Sequence, residues 1–259
     1  MQARFLHEIP GGRAGTTVVV FPPAGRGAYS FVGRLSSPHR AMAVVLPGRE
    51  RRLGEPLASR ISQLIDPLCD ELETLAARGR LLLQGHSLGA YIAHAATKEL
   101  QGRGVQVDGL GVAAAEAPVQ PPALVRHELD DESFAAAISV LGGTPPEVFA
   151  EPSLRAMFLP LLRADFALAE TYAPDPEPVS CPISASYGLE DADVDPEGVK
   201  RWVELTTGPF EVTGYRGDHF FPDQHLNDLC ANLDDLAAGG PPRDRSARTP
   251  ESAQAHRLE

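Results

Sequence analysis

The stretch RLLLQGHSLGAYIAHAA, residues 80–96, leaves the chain few ways to fold. Its three consecutive leucines read as a strand covered on both faces, and the residues from Leu88 onward read as an amphipathic helix. Only Gly85-His86-Ser87-Leu88-Gly89 separates the two. So tight a turn favours residues without side chains two before and two after the serine, which are Gly85 and Gly89. A strand entering a helix this way lifts the Ser87 hydroxyl above the sheet edge. It also aims the helix N-terminus at charge developing there.

The same alternation runs through the chain. Short apolar runs at 16–22, 41–47, 80–85, 109–115, 182–188 and 209–215 read as strands. Helical patterns fill 57–78 (with Pro67 as a kink), 88–101 and 223–237. A G-x-S-x-G turn in this strand–turn–helix setting is the nucleophile elbow of an α/β-hydrolase. The predicted fold class is therefore α/β, a mainly parallel central sheet flanked by helices. No strand pattern appears between about 117 and 180, where apolar residues recur at helical spacing. Phe134, Ile138 and Leu141 form one set; Met157, Phe158, Leu161, Leu162, Phe166 and Leu168 form another. An insertion this long reads as a helical lid, with Met157, Phe158, Leu161, Leu162 and Phe166 as candidate liners of a channel to the site. The domain organisation predicted is one hydrolase unit over 1–238, followed by a Pro-, Gly-, Ser- and Arg-rich tail over 239–259 that reads as disordered.

A serine nucleophile needs a base, and this fold places its partners in the order serine, acid, histidine. Of eight histidines, only His219, His225 and His256 lie beyond the strand at 182–188. His256 falls in the tail and His225 reads as a surface position on a helix. His219, in RGDHFFP between a strand and the last helix, is the candidate base. The loop LEDADVDPEG offers Glu190, Asp191, Asp193 and Asp195 as the acid. Asp195 precedes Pro196 and reads as a helix N-cap. Asp191 is the first aspartate of the turn and the favoured acid, with Asp193 as its alternative. The oxyanion hole needs two backbone N–H groups: Leu88 supplies one, and the loop FPPAGRG the other. Pro23 has no N–H to donate, which leaves Ala24, with Gly25 in reserve.

Composition narrows the partners. Twenty-three Lys and Arg against 35 Asp and Glu give a net charge of −12, which disfavours phosphate backbones and anionic membrane surfaces. Three widely spaced cysteines, Cys69, Cys181 and Cys230, form no C-x-x-C pair. They imply no zinc site or disulfide framework, and a reducing compartment. The N-terminal residues show no secretory h-region, and no apolar run approaches the roughly 20 residues of a spanning helix. A soluble cytoplasmic protein without a metal is the expectation.

Four blocks together resemble the type II thioesterases of polyketide and nonribosomal peptide pathways. FPPAG is similar to that family's oxyanion loop, with Ala24 on its alanine. AVVLPGRERRLGEP, residues 43–56, matches its LPGRE segment; GHSLGA supplies the serine, Ser87; and GDHFF matches the histidine block, with His219 on the base. Gly188-Leu189-Glu190-Asp191 resembles the family's Gly-x-x-Asp turn and puts the acid on Asp191. The segment 142–172 is similar to its helical lid. Departures stand at Pro23, at Arg26 (where the family carries a second glycine) and at Ala113-Ala114-Ala115-Glu116. The resemblance implies hydrolysis of thioesters on the phosphopantetheine arm of an acyl carrier protein, with no cofactor bound by this chain. An esterase or lactonase acting on free small molecules with the same triad is the alternative, and a binding role with vestigial hydrolysis a third reading. Arg49, Glu50 and Arg52 read as a turn held by local ion pairs, with substrate contact as the less favoured role. Arg49, Arg51 and Arg52 are a candidate docking patch for an acidic carrier protein.

Overall fold

A computed structural model describes residues 5–12 and 14–240; residues 241–259, most of the tail read as disordered, lie outside the described residues. Seven strands form one sheet: β1 (Leu6–Ile9), β2 (Ala14–Phe21), β3 (His39–Val44), β4 (Arg80–His86), β5 (Gly109–Ala113), β6 (Ile183–Gly188) and β7 (Phe210–Tyr215). Their order is β1-β3-β2-β4-β5-β6-β7. All pairs are parallel except β1 with β3. The helices are α1 (Ser62–Ala76), α2 (Leu88–Gly102), α3 (Asp131–Leu141), α4 (Pro146–Ala150), α5 (Pro152–Glu170), α6 (Pro196–Lys200) and α7 (Pro222–Ala237).

Side-chain alternation explains why the central strands are mostly apolar on both faces. Val19, Leu81, Leu83, Met42 and Val44 pack into the layer under α1 and α2. Their neighbours Val18, Val20, Leu82, Ala41 and Ala43 pack into the layer under α7. With both faces covered, few polar positions are left to alternate, and Gln84, Ser184 and Ser186 are buried exceptions. The six expected strands and three long helices are present, with ends shifted by up to a few residues. α1 begins at Ser62 rather than 57 and continues through Pro67. The helix expected after Asp195 is a five-residue α6 followed by a 3-10 turn over Arg201–Leu205. Strand β1 had no counterpart in the sequence reading: it is an edge strand of four residues whose middle pair, His7 and Glu8, lies outside the core.

The 117–180 insertion holds α3, α4 and α5, all between β5 and β6. Phe134, Ala135 and Ile138 of α3 pack with Leu159 and Leu162 of α5 in a small core of their own. The segment before α3 is tied to α5, with Glu170 accepting from the backbone N–H groups of Arg126 and His127 at 2.9 Å each. Arg163 donates to the carbonyls of His127 and Leu129, both at 2.6 Å.

Just past the end of α5, the Tyr172 hydroxyl is hydrogen-bonded to Nδ1 of His94 in α2 at 2.8 Å. His94 is fully buried, edge-on to Trp202. Burial, and secondarily Lys98, drives its pKa down to about 3. In the unfolded chain a histidine titrates near 6.5, so between about pH 6.5 and 3 the unfolded state binds a proton that the folded state refuses. Stability is therefore present above that window and falls as pH drops through it, by up to about 1.4 kcal/mol per pH unit for this residue. Urea unfolding from pH 7 to 4 should show that decline, and His94→Gln should make it shallower. An equal slope in both chains would refute the assignment.

Candidate active site

Sheet order places the site before any side chain is considered. β3 lies on one side of β2 and β4 on the other, so the C-terminal ends of β2 and β4 flank a topological switch point. The loop after β2 carries Ala24 and Gly25; the turn after β4 carries Ser87. Ser87 has φ 52° and ψ −118°, a left-handed conformation that costs a non-glycine residue about 1–3 kcal/mol. Its N–H donates to the Ala113 carbonyl and its own carbonyl accepts from Ala90 N–H, both at 2.8 Å. α2 starts hard against β2, because a Cβ at Gly89 would stand 2.2 Å from the Phe21 carbonyl oxygen.

His219 lies in the loop between β7 and α7, and its Nδ1 donates to Asp191 Oδ2 at 2.9 Å. The Asp191 side chain is 1% exposed, and its Oδ1 accepts from Asp193 N–H at 3.0 Å. Burial alone raises the Asp191 pKa, but the His219 hydrogen bond and charge, with the Asp193 N–H, outweigh it and hold the carboxyl below its ordinary range. The other acids of the loop are engaged elsewhere. Asp193 pairs with Arg126 of the insertion, Asp195 caps α6 by accepting from Glu197 N–H at 3.1 Å, and Glu190 accepts from Gly217 N–H. His225 sits in α7, half-buried with its ring 5.0 Å from that of Tyr215 rather than on the surface.

His86, the variable residue of the elbow, has a role that its motif does not announce. Its Nε2 donates to the His219 carbonyl at 2.8 Å. Burial first, and the neighbouring His219 second, push its pKa down to about 3. It is therefore a neutral donor at working pH, fastening the loop of His219 to the end of β4.

The turn Pro23–Arg26 closes through Arg26 N–H on the Pro23 carbonyl at 3.2 Å. Gly25 has φ +76°, the third position of such a turn, and a Cβ there would also lie 2.7 Å from Leu162 Cδ2. Gly25 N–H donates to Asp165 Oδ2 at 2.7 Å. Arg26, at a departure from the family pattern, bridges to the histidine loop. Its Nη1 reaches both Asp223 oxygens at 2.7 and 2.8 Å, and its guanidinium lies 4.5 Å above the Phe220 ring.

Of two arginines in the LPGRE block, one departs from the local ion-pair reading and the other keeps it but is buried. Arg49 is buried and paired not locally but with Asp165 of α5, 116 residues away, at 2.6 and 2.8 Å. Arg52 does pair locally with Glu55 at 2.8 Å, yet it is 3% exposed and stacked on Phe5 at 3.9 Å. Of the proposed docking patch, only Arg51 is on the surface. On α5, Leu161 and Leu162 are buried, Phe158 and Phe166 half-buried, and Met157 64% exposed. Among the described residues no group of His, Cys, Asp and Glu is placed to hold a metal ion.

An elbow serine at a sheet switch point, with a histidine–aspartate pair on the loops after β7 and β6, defines the α/β-hydrolase class. The family model for the thioesterase domain matches residues 16–236. The chain is 33% identical to thioesterase PikA5 of Streptomyces venezuelae over 96% of its own length and 90% of the relative's. It is 34% identical to the gramicidin S biosynthesis protein GrsT of Aneurinibacillus migulanus, over 77% and 80%. Among solved structures it resembles YbtT, a type II thioesterase of the yersiniabactin pathway (TM-score 0.85, 28% identity, covering 91% of this chain and 99% of that one). It also resembles BorB, the type II thioesterase of the borrelidin cluster (TM-score 0.77, 30% identity, 90% and 97%). The chain belongs to the thioesterase family and is a thioester hydrolase. The likeness to type II members read from its sequence blocks holds in the solved structures it resembles. No helix among the described residues is long and apolar enough to cross a membrane.

The contact at Gly89 has a measurable consequence. Gly89→Ala should cost about 1–3 kcal/mol, the usual range for overpacking, read as a lower urea midpoint. Gly102→Ala, at the end of the same helix with nothing within 4 Å of the added carbon, should be neutral or gain up to about 1 kcal/mol. Equal midpoints for the two variants would contradict the packing described.

Proposed function

We propose that this enzyme hydrolyses acyl thioesters carried on the phosphopantetheine arm of an acyl or peptidyl carrier protein. In this reading it releases stalled or wrongly primed acyl groups from a polyketide or nonribosomal peptide assembly line. The observation that carries the reading is the His219–Asp191 hydrogen bond of 2.9 Å, on loops at the sheet edge where the Ser87 elbow also emerges. The relatives named for such pathways support the substrate class.

In the proposed mechanism His219 takes the Ser87 proton as the hydroxyl attacks the thioester carbonyl. Asp191, ionised and buried, fixes the imidazole and stabilises its charged form. The N–H groups of Leu88 and Ala24 receive the oxyanion; Ala24 is favoured over Gly25 because the Gly25 N–H is committed to Asp165. The thiol of the pantetheine arm leaves with the proton from His219. Water activated by the same imidazole then hydrolyses the acyl-enzyme. The chain itself supplies no cofactor to these steps, since the pantetheine arrives on the partner. On α5, we assign Phe158, Phe166, Leu161 and Leu162 to the wall of the acyl site, with Met157 at its solvent rim.

Mass spectrometry of a panel of acyl-loaded carrier proteins tests the proposal. Wild-type enzyme should strip short acyl groups, and Ser87→Ala should not. Asp191→Asn should lower kcat by about 10⁴-fold, whereas Asp193→Asn should leave it within about threefold because its partner Arg126 lies outside the reacting groups. Equal rates on free oxyesters and on carrier-bound thioesters would favour an esterase of small molecules instead. Phe158→Ala should shift the chain-length profile; an unchanged profile removes Phe158 from the acyl wall.

A further inference from the structure

The insertion helix α5 reaches into the oxyanion loop through one buried carboxylate. Asp165, 1% exposed, receives three donors: Gly25 N–H at 2.7 Å, and Arg49 Nη1 and Nη2 at 2.8 and 2.6 Å. Arg49 Nη1 also donates to the Arg26 carbonyl at 2.9 Å. The turn that carries Ala24 is thus gripped at Gly25 by Asp165 and at Arg26 by Arg49. Leu162, one helical turn before Asp165, sits directly over Gly25. No part of this grip touches Ser87, His219 or Asp191, and none of it is a local ion pair.

We infer that Asp165 and Arg49 are positioning residues for the oxyanion hole, so that a competent hole exists only while α5 is seated on the loop after β2. The inference rests on the proposed function, in which Ala24 and Leu88 are the oxyanion donors. The physical reason is directional. The Gly25 N–H bond to Asp165 Oδ2 fixes the peptide between Ala24 and Gly25, and the Arg49 bond to the Arg26 carbonyl fixes the other end of the turn. The Ala24 N–H, on the peptide before it, is left with one orientation. Oxyanion stabilisation depends on donors held in place before charge develops, and a misplacement of about 1 Å is enough to cost roughly 10²-fold. The buried pair also links access to chemistry, because a helix that bounds the acyl site holds one of the two donors in register.

The test separates positioning from folding. In Asp165→Asn, an amide NH2 in the place of Oδ1 faces Arg49 Nη2 and loses one of the three bonds. An NH2 in the place of Oδ2 faces both Gly25 N–H and Arg49 Nη1 and loses two, so the grip is weakened in either orientation. This variant should lose about 10- to 100-fold in kcat with KM within twofold, and should lose the same factor in affinity for an acyl trifluoromethyl ketone, whose hemiketal alkoxide occupies the hole. Arg49→Lys keeps the charge and the Asp165–Gly25 bond, and should retain kcat within about fivefold. The double variant Arg49→Met/Asp165→Leu replaces a buried ion pair by apolar groups of similar volume, a change that folds tolerate; it should melt near the wild type yet show the kcat and inhibitor losses of Asp165→Asn. A folded Asp165→Asn or double variant with kcat and inhibitor affinity within threefold of wild type overturns the inference. So does failure of both to fold, which would assign the pair to stability alone. Turnover that survives Ser87→Ala, or a wild type without thioester turnover, overturns the underlying proposal and this inference with it. Turnover that needs Ser87 but is indifferent to Asp165 overturns this inference only.

Discussion

Ser87 is held by backbone, not by side chains. Its N–H donates to the Ala113 carbonyl at 2.8 Å, carrying the β4–β5 ladder one residue past the end of β4. One residue along, Ala114 N–H donates to the Ser186 carbonyl of β6 at 2.9 Å. These two bonds hold the ends of three adjacent strands in register where the chain leaves the sheet. They also explain two of the three non-glycine residues with positive φ among the described residues, Ser87 at 52° and Ala114 at 51°. A left-handed residue at a strand end persists only where its neighbours over-determine it. Ala114 lies within the Ala113–Glu116 departure from the family pattern, and its φ is one that glycine adopts without strain.

From that edge, the loops are fastened to one another in pairs. His86 holds the His219 loop by its carbonyl, Glu190 holds the same loop at Gly217, and Arg26 joins the oxyanion loop to Asp223 and Phe220. The Asp223 carboxyl, raised by burial but lowered more by Arg26 and Arg34, stays below its ordinary range and so remains charged for this bridge. Charge-assisted bonds of this kind contribute more than neutral ones when shielded from water. The reacting groups are thus set by contacts between segments up to 197 residues apart.

That distance decides what was legible in the sequence. The elbow, the six central strands and the Asp195 cap are local patterns: a run of leucines, a pair of glycines, an aspartate before a proline. They are visible in a single window of sequence. β1 was invisible because four residues with a polar middle carry no periodic signal, and it exists only by pairing with β3. Asp191 and Asp193 were hard to separate because the difference lies in their partners, His219 for one and Arg126 for the other. Arg49 was misplaced for the same reason. Nothing near it in sequence announces Asp165, which looks like one more polar position on an amphipathic helix until α5 is docked. His86 reads as a free choice within G-x-S-x-G and becomes a structural donor only when the β7–α7 loop arrives.

The three cysteines, which carry no part of the chemistry, acquire a use from where they lie. Cys69 is in α1, Cys181 just ahead of β6, and Cys230 in α7; all are buried and free, and burial pushes each thiol up to about 12. Few thiolates exist at neutral pH in the folded chain, so an alkylating reagent meets a nucleophile only when a helix lifts away. Cys69 reports the layer beneath α1 and α2, and Cys230 the layer beneath α7 on the opposite side of the sheet. The molecule therefore contains its own pair of clocks, one for each face, while a serine-directed probe added at the same time reads the elbow without competition from sulfur.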